Sequence, residues 1–344
     1  MRRVPFLFFG GIGLKFALVT TAKGLNPAFF TFLRHHRDVG FSRVYLFVDD
    51  PEYDLAFVEG LLRSDFNDFV RVIPHDSRLK EIHSKTDYFK LHEATYARRV
   101  VTRQQLNVGY SVALALEEGI DWLCHLDSDE LFGLRPDVDS VREYLSGFGT
   151  DVAEVFVPNV EAVPQEVEIQ DPFLEISWFK KTPFICSEKQ WVYMEHRSFR
   201  RFPFVGYAHG KSIFRPRAFS DIEVPTTVHH YHPNLASDVV WIDDSLRALI
   251  LHYPLCGFEA FRARVGGFNL NRINQYEESG DGVKPIGAIL EARDLVRAGQ
   301  EERLLEYYRE EVAYFNPVEL ETMKGLGLLM DAGGYCRVKK ARRI

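Results

Sequence analysis

Apolar residues in the first part of the chain fall into short unbroken runs, separated by longer stretches in which they recur every three or four positions. KFALVTTA (Lys15 to Ala22), RVYLFVDD (Arg43 to Asp50), FVRVIPHD (Phe69 to Asp76) and the start of DWLCHLDSDELF (Asp121 to Phe132) have the continuous, largely β-branched character of buried strands. Between them, NPAFFTFLRHHRDVG predicts a helix, with Pro27 near its start and Gly40 as its stop. PEYDLAFVEGLLRS and the stretch from about Arg98 to Glu118 predict two more. Strands and helices alternating at this spacing predict an α/β chain with a mostly parallel sheet and helices on both faces. Such sheets take ligands in the crevice beyond the carboxyl ends of their strands. Thr20, Thr21, Asp49, Asp50 and the turn from Asp127 to Glu130 all fall at such ends.

The second half is less regular. DVAEVFVPNV, GKSIFRP and ALILHYPL predict three further strands, joined by proline- and aromatic-rich connections suited to an acceptor-side region built from loops. From about Asn271 the pattern turns polar and helical, as in PIGAILEARDLVRAGQEERLLEYYREEVAYF. This divides the chain into a body over residues 1–270 and a helical extension over 271–344, packed on its outside. No internal repeat or low-complexity tract is present.

Composition narrows the class. The 344 residues are 46% hydrophobic and 26% charged, as in an ordinary folded protein. A net charge of −7 argues against a general nucleic-acid binder. The four cysteines lie far apart with no C-x-x-C pair, which removes a zinc ribbon and gives no disulfide framework. No stretch approaches the length of a membrane span. The opening MRRVPFLFFGGIGL has the look of a secretory signal or the end of an anchor, but it runs straight into the first strand and is read as part of the fold.

The candidate chemistry lies in DSDE, where Asp127, Asp129 and Glu130 put three acids within four residues at a strand end. Carboxylates this close repel one another unless a positive charge sits among them. A D-x-D at a strand end suits a hard divalent cation, magnesium or manganese, which binds through one or two carboxylates and the substrate's phosphates. Three rivals fail on the sequence. A haloacid-type phosphatase carries its D-x-D on the first core strand and ends it in threonine. GKS at Gly210 to Ser212 lacks the glycine a Walker loop needs, because Val205 stands there. GGIG precedes the first strand instead of following it, so it is no dinucleotide fingerprint.

The order of ALVTTAKGLNPAFF, LRHHRDVGFSRVYLFVDD, RQQLNVGYSVALALEEGIDWLCHLDSDELF, GKSIFRP, VHHYHP and LILHYPLCGFEAFRAR resembles the nucleotide-sugar glycosyltransferases of the GT-A fold, most nearly the family-2-like and family-92 groups. The resemblance covers roughly Lys15 to Phe268. It implies a Rossmann-like sheet that uses manganese or magnesium and a nucleoside-diphosphate sugar, UDP-linked at first choice. The acceptor would be a hydroxyl on a glycan, lipid or protein. It further implies that Asp127 and Asp129 face the metal and the ribose–diphosphate, while Glu130 holds the turn or an acceptor group. Asp50 and Thr20 would line the nucleoside pocket, with Arg103, Gln104 and Asn107 beside the nucleotide. A late histidine often completes the metal shell in such enzymes. His252, coming directly off an apolar strand, is preferred over His229, His230 and His232. Lys211 would neutralise the leaving diphosphate.

No clear E-D pair follows GKS, a departure from the family's pattern that leaves the catalytic base open. Ser187 with Gln190 forms a capping box that puts Glu188 in the first turn of a helix, and Glu188 is named as the candidate base, with Glu195 two turns on. Two other classes stay open at this point: a sugar-phosphate nucleotidyltransferase, which usually has a more basic glycine-rich loop than TTAKGLNP, and a non-catalytic carbohydrate-binding protein. Compartment is open too, cytoplasmic and secretory-pathway settings both being compatible.

Overall fold

Seven consecutive buried residues mark β1 (Phe16–Ala22) as an interior strand. It pairs in parallel with β2 (Arg43–Val48) on one side and β4 (Trp122–His125) on the other, and β2 pairs in parallel with β3 (Val70–Pro74). Side chains alternate across a strand, and both faces of β1 are covered. Leu18 packs with Phe29, Phe32 and Leu33 of α1 (Ala28–Asp38), whereas Ala17 and Val19 pack with Val108, Val112 and Ala115 of the long helix Val100–Glu118. The computed structural model describes residues 13–182, 185–187, 210–219, 227, 229, 239–242, 244–267, 285–314 and 316–340.

The connections hold elements that periodicity did not predict. After α2 (Leu55–Leu62) and β3 come α3 (Ser77–Ser84) and α4 (Asp87–Tyr96), started by Asp76 and Thr86, whose side chains accept from the backbone N–H groups of Leu79 and Phe89. The long helix is then α5, and it ends at Gly119, whose φ of 68° is the left-handed conformation a helix stop favours. DVAEVFVPNV, expected as one strand, is two: β6 (Val152–Val157) and β7 (Asn159–Ala162), after β5 (Glu130–Leu134) and α6 (Val141–Leu145). Pro158, which has no N–H for a ladder, sits at the break, and the two strands belong to different sheets.

Among the described residues, the remaining strands and α-helices are α7 (Pro172–Glu175), β8 (Trp178–Lys181), β9 (Lys211–Phe214), β10 (Val239–Ile242), β11 (Ala248–His252), α8 (Phe258–Gly266), α9 (Pro285–Arg297), α10 (Glu301–Tyr307), α11 (Pro317–Gly325), β12 (Leu329–Asp331) and α12 (Arg337–Lys340). The first sheet has the order β10–β6–β9–β4–β1–β2–β3, and the second β12–β8–β7–β11–β5. The first sheet is mostly parallel, as expected, with β9 running antiparallel to both β4 and β6. The fold is mixed α/β, with its sheets flanked by helices. The segment expected as an outer helical extension contains α9 to α12, and its last part enters the body. There β12 pairs antiparallel with β8, Cys336 and Val338 join the main core, and the Arg337 N–H donates to His35 Nδ1 at 3.1 Å. Among the described residues, no helix is long and apolar enough to cross a membrane.

Candidate functional site

The acidic turn joins the two sheets: β4 belongs to the first and β5, which starts at Glu130, to the second. Glu130 is wholly buried and closes the turn, its Oε2 accepting from the Asp127 N–H at 2.8 Å. The charge that allows these carboxylates to sit together comes from β9, the strand next to β4. Lys211 Nζ, with no exposed surface, lies 2.9 Å from Asp127 Oδ2 and 3.4 Å from Glu130 Oε2. Gln104 of α5 donates to the other Asp127 oxygen at 2.6 Å. Burial works against the Asp127 charge, but Lys211, helped by His125 and His229, outweighs it and holds the carboxyl far below its usual range. The same pairing works in reverse on Lys211, whose burial is overcome by Asp127 and Glu130 so that it stays charged.

Asp129 has different partners. Its carbonyl accepts from the Tyr253 N–H at 2.8 Å, and its Oδ2 lies 3.0 Å from Arg264 Nη1 and 3.9 Å from His252 Nε2. His252 ends β11, in register with Glu130 on one side and Glu161 on the other, and Glu161 is in turn in register with Lys180. The buried Glu161–Lys180 pair is 2.6 Å apart. Burial lowers the His252 pKa, against the opposing charges of Asp129 and Glu161.

A cavity of about 560 Å³ opens beside this turn, with Lys23, Asn26, Asp129, Asp171, Glu259 and Arg264 in its wall. Its β1–α1 loop is held by Asp54, a buried carboxylate that accepts from the N–H groups of Gly24 at 3.0 Å and Leu25 at 2.7 Å. Gly24 has φ of 73°, a conformation that glycine adopts without strain. Lys23 pairs with Asp50 at 2.9 Å, and this contact, with the Tyr53 N–H, lowers the Asp50 pKa.

Of the residues named from sequence, Gln104, Asp127, Asp129, Lys211 and His252 come together, and Asp50 reaches the cavity through Lys23. Three others serve the framework. Thr20 is wholly buried in β1, and Asn107 is buried where it donates to Thr21 Oγ1 at 2.8 Å, tying α5 to the strand. Arg103 forks onto both oxygens of Asp49 at 2.6 and 2.7 Å and donates to the Tyr96 carbonyl, which engages it inside the protein. Glu188, Glu195, His230 and His232 lie outside the described residues. His229 Nδ1 lies 3.1 Å from the carbonyl of Gly210, the residue before Lys211. Sequence reasoning missed Asp54 and Arg264, whose only signals were an acid just before an apolar helix and an arginine on the helix after LHYPL.

The donor set does not fit the expected manganese. Both Asp127 oxygens are taken by N–H donors, and Lys211 has no exposed surface. A cation bound there would sit against a buried ammonium. Asp129 and His252 remain as two ligands, and among the described residues no group of three or more His, Cys, Asp or Glu could hold a metal ion.

No protein-family profile matches the chain. Two curated proteins of Arabidopsis thaliana, both named glycosyltransferase-like, are 27% identical over 260 residues and 26% identical over 262. Each match takes in 71% of this chain but only 54% and 48% of the relative, so the chain spans about half the length of the curated relatives it matches. Among solved structures, a mannosyltransferase from Pyrobaculum calidifontis in complex with GDP-Man and Mn2+ aligns at 10% identity and a TM-score of 0.37, over 96% of this chain and 85% of that one. Mouse xyloside xylosyltransferase 1 aligns at 14% identity and 0.30, over 61% and 69%. Over most of its length, this chain is similar in sequence to proteins named glycosyltransferase-like.

Proposed function

We propose that the protein is a nucleotide-sugar glycosyltransferase of GT-A type, moving a sugar from a nucleoside-diphosphate donor to a hydroxyl on a glycan, lipid or protein. The observation that carries this reading is the acidic turn at the carboxyl end of β4, opening into a cavity whose wall holds both carboxylates and cations. The similarity to glycosyltransferase-like relatives points the same way. In this reading Asp50 accepts hydrogen bonds from the nucleoside, and the cavity's cations meet the diphosphate. The acceptor hydroxyl attacks the anomeric carbon as the bond to the diphosphate breaks. Positive charge beside the departing oxygen stabilises the transition state most where water is excluded. Glu188 is the proposed base for the acceptor proton.

The test is release of nucleoside diphosphate from a panel of UDP- and GDP-sugars, with UDP-sugars tried first. Release of the diphosphate is expected. Pyrophosphate release from a nucleoside triphosphate and a sugar phosphate would instead mark a nucleotidyltransferase. Binding of sugars without turnover of any donor would mark a carbohydrate-binding protein.

A further inference from the structure

Six acids around the site have a cation of the protein beside them. Asp127 and Glu130 share Lys211; Asp129 has Arg264, Asp50 has Lys23, Asp49 has Arg103 and Glu161 has Lys180. These cations differ in their freedom. The side chains of Lys211, Arg103 and Lys180 are 0%, 9% and 5% exposed, so none can leave without abandoning a carboxylate inside the protein. Lys23 and Arg264 are 62% and 53% exposed, and both stand in the cavity wall.

We propose that Lys211 takes the part of the divalent cation in the acidic turn, and that Lys23 and Arg264 meet the donor's diphosphate, so that a nucleoside diphosphate binds without divalent metal. This rests on the donor reading above. A diphosphate entering beside Asp129 and Asp127 is repelled unless positive charge accompanies it. The buried lysine removes the repulsion within the turn, and the two exposed cations rotate from Asp50 and Asp129 onto the phosphates. An arginine fork suits this task, because it matches phosphate oxygens in pairs.

The experiment is calorimetric titration of the full chain with UDP and with GDP, in EDTA and again with manganese in excess. At least one of them is expected to bind with equal affinity in both buffers, within roughly threefold, and Arg264→Gln to weaken it by about tenfold, one charged contact's worth. Binding that vanishes in EDTA and returns with manganese overturns the proposal, and this comparison needs no variant to fold. If neither nucleotide binds in either buffer, the donor reading fails, and melting temperatures with manganese alone then decide the rest. An unchanged wild type beside a Lys211→Ala variant raised by manganese supports the lysine's role. A wild type raised by manganese, with the rise lost in Asp129→Asn, overturns it.

Discussion

Removing the ammonium of Lys211 while leaving its partners in place strands Glu130, which has no exposed surface, beside the Asp127 carboxylate. Breaking a buried pair in this way costs about 3–5 kcal/mol. Lys211→Met is therefore expected to lower the urea midpoint sharply, and adding Glu130→Gln to recover part of the loss. A double-mutant cycle measures that coupling, and additive effects would show the contact to be energetically idle. Two histidines make a second demand at this scale. His36 Nδ1 lies 2.9 Å from the Phe32 carbonyl and its Nε2 accepts from the Phe132 N–H; His35 Nε2 lies 2.9 Å from the Phe132 carbonyl and its Nδ1 accepts from the Arg337 N–H. Each ring thus donates once and accepts once, which only the neutral form can do. Burial brings His35 down to about 4, against the opposing hydrogen bond to Phe132, and takes His36 well below the usual value of 6.5. Between about 6.5 and 4 the unfolded chain binds more protons than the folded one, so this stabilisation is complete above that window and drains away as pH falls through it. The ring resonances are expected to stay neutral at about pH 5.5, below the ordinary imidazole pKa. Rings that titrate near the unperturbed value would contradict these hydrogen bonds.

The connection between β1 and α1 shows how one acid shapes a neighbouring element. Asp54 lies 30 residues from Gly24 and holds the N–H groups of Gly24 and Leu25, so the cavity wall depends on a side chain from the start of α2. Asp54→Ala leaves two N–H groups without their acceptor and is expected to cost about 2–3 kcal/mol, with Asp54→Asn milder because it keeps one acceptor oxygen. Thermal melts rank the two, and equal melts for Asn and Ala would argue against these bonds. The strongly apolar elements were legible in the sequence: β1, β2, β3, β4, α1, α2 and α5 all lie within the stretches that their apolar patterns mark. α3 and α4 were missed because SRLKEIHS and DYFKLHEATY are too polar for an apolar face to emerge, unlike LAFVEGLL of the equally short α2. β8 and β12 were missed because WFKK and LMD hold only two apolar residues each, and β5 because ELFGL follows the acidic turn directly after β4. At the site, three acids in four residues announce themselves, but their cation does not, because Lys211 is distant in sequence and belongs to a strand that local pattern cannot pair with β4. The partner of Arg103 was hidden for a related reason: its carboxylate, Asp49, ends a different strand.

At the scale of the whole molecule the second sheet is completed by the end of the chain, where Leu329, Ala332, Cys336 and Val338 are buried. Truncation after residue 326 removes β12 and exposes the edge of β8. Each large buried side chain contributes about 1.5–3 kcal/mol, so the deletion approaches the 5–15 kcal/mol by which a typical domain is stable. The expected outcome is loss of the sharp near-UV circular dichroism of the full chain. A truncated protein with the parent spectrum would mean that the tail is an independent appendage. The Lys211–Asp127 contact has a consequence in time as well as in space, because it closes a loop of 84 residues. Contacts of such separation form late, after local ones have reduced the entropy of closing the chain between them. During synthesis the first four strands and α1 to α5 emerge from the ribosome well before β9, so Asp127 and Glu130 wait, mutually repelling, for a lysine not yet translated. The acidic turn is thus among the last parts of the molecule to acquire its native shape, and a half-made chain cannot assemble the site early.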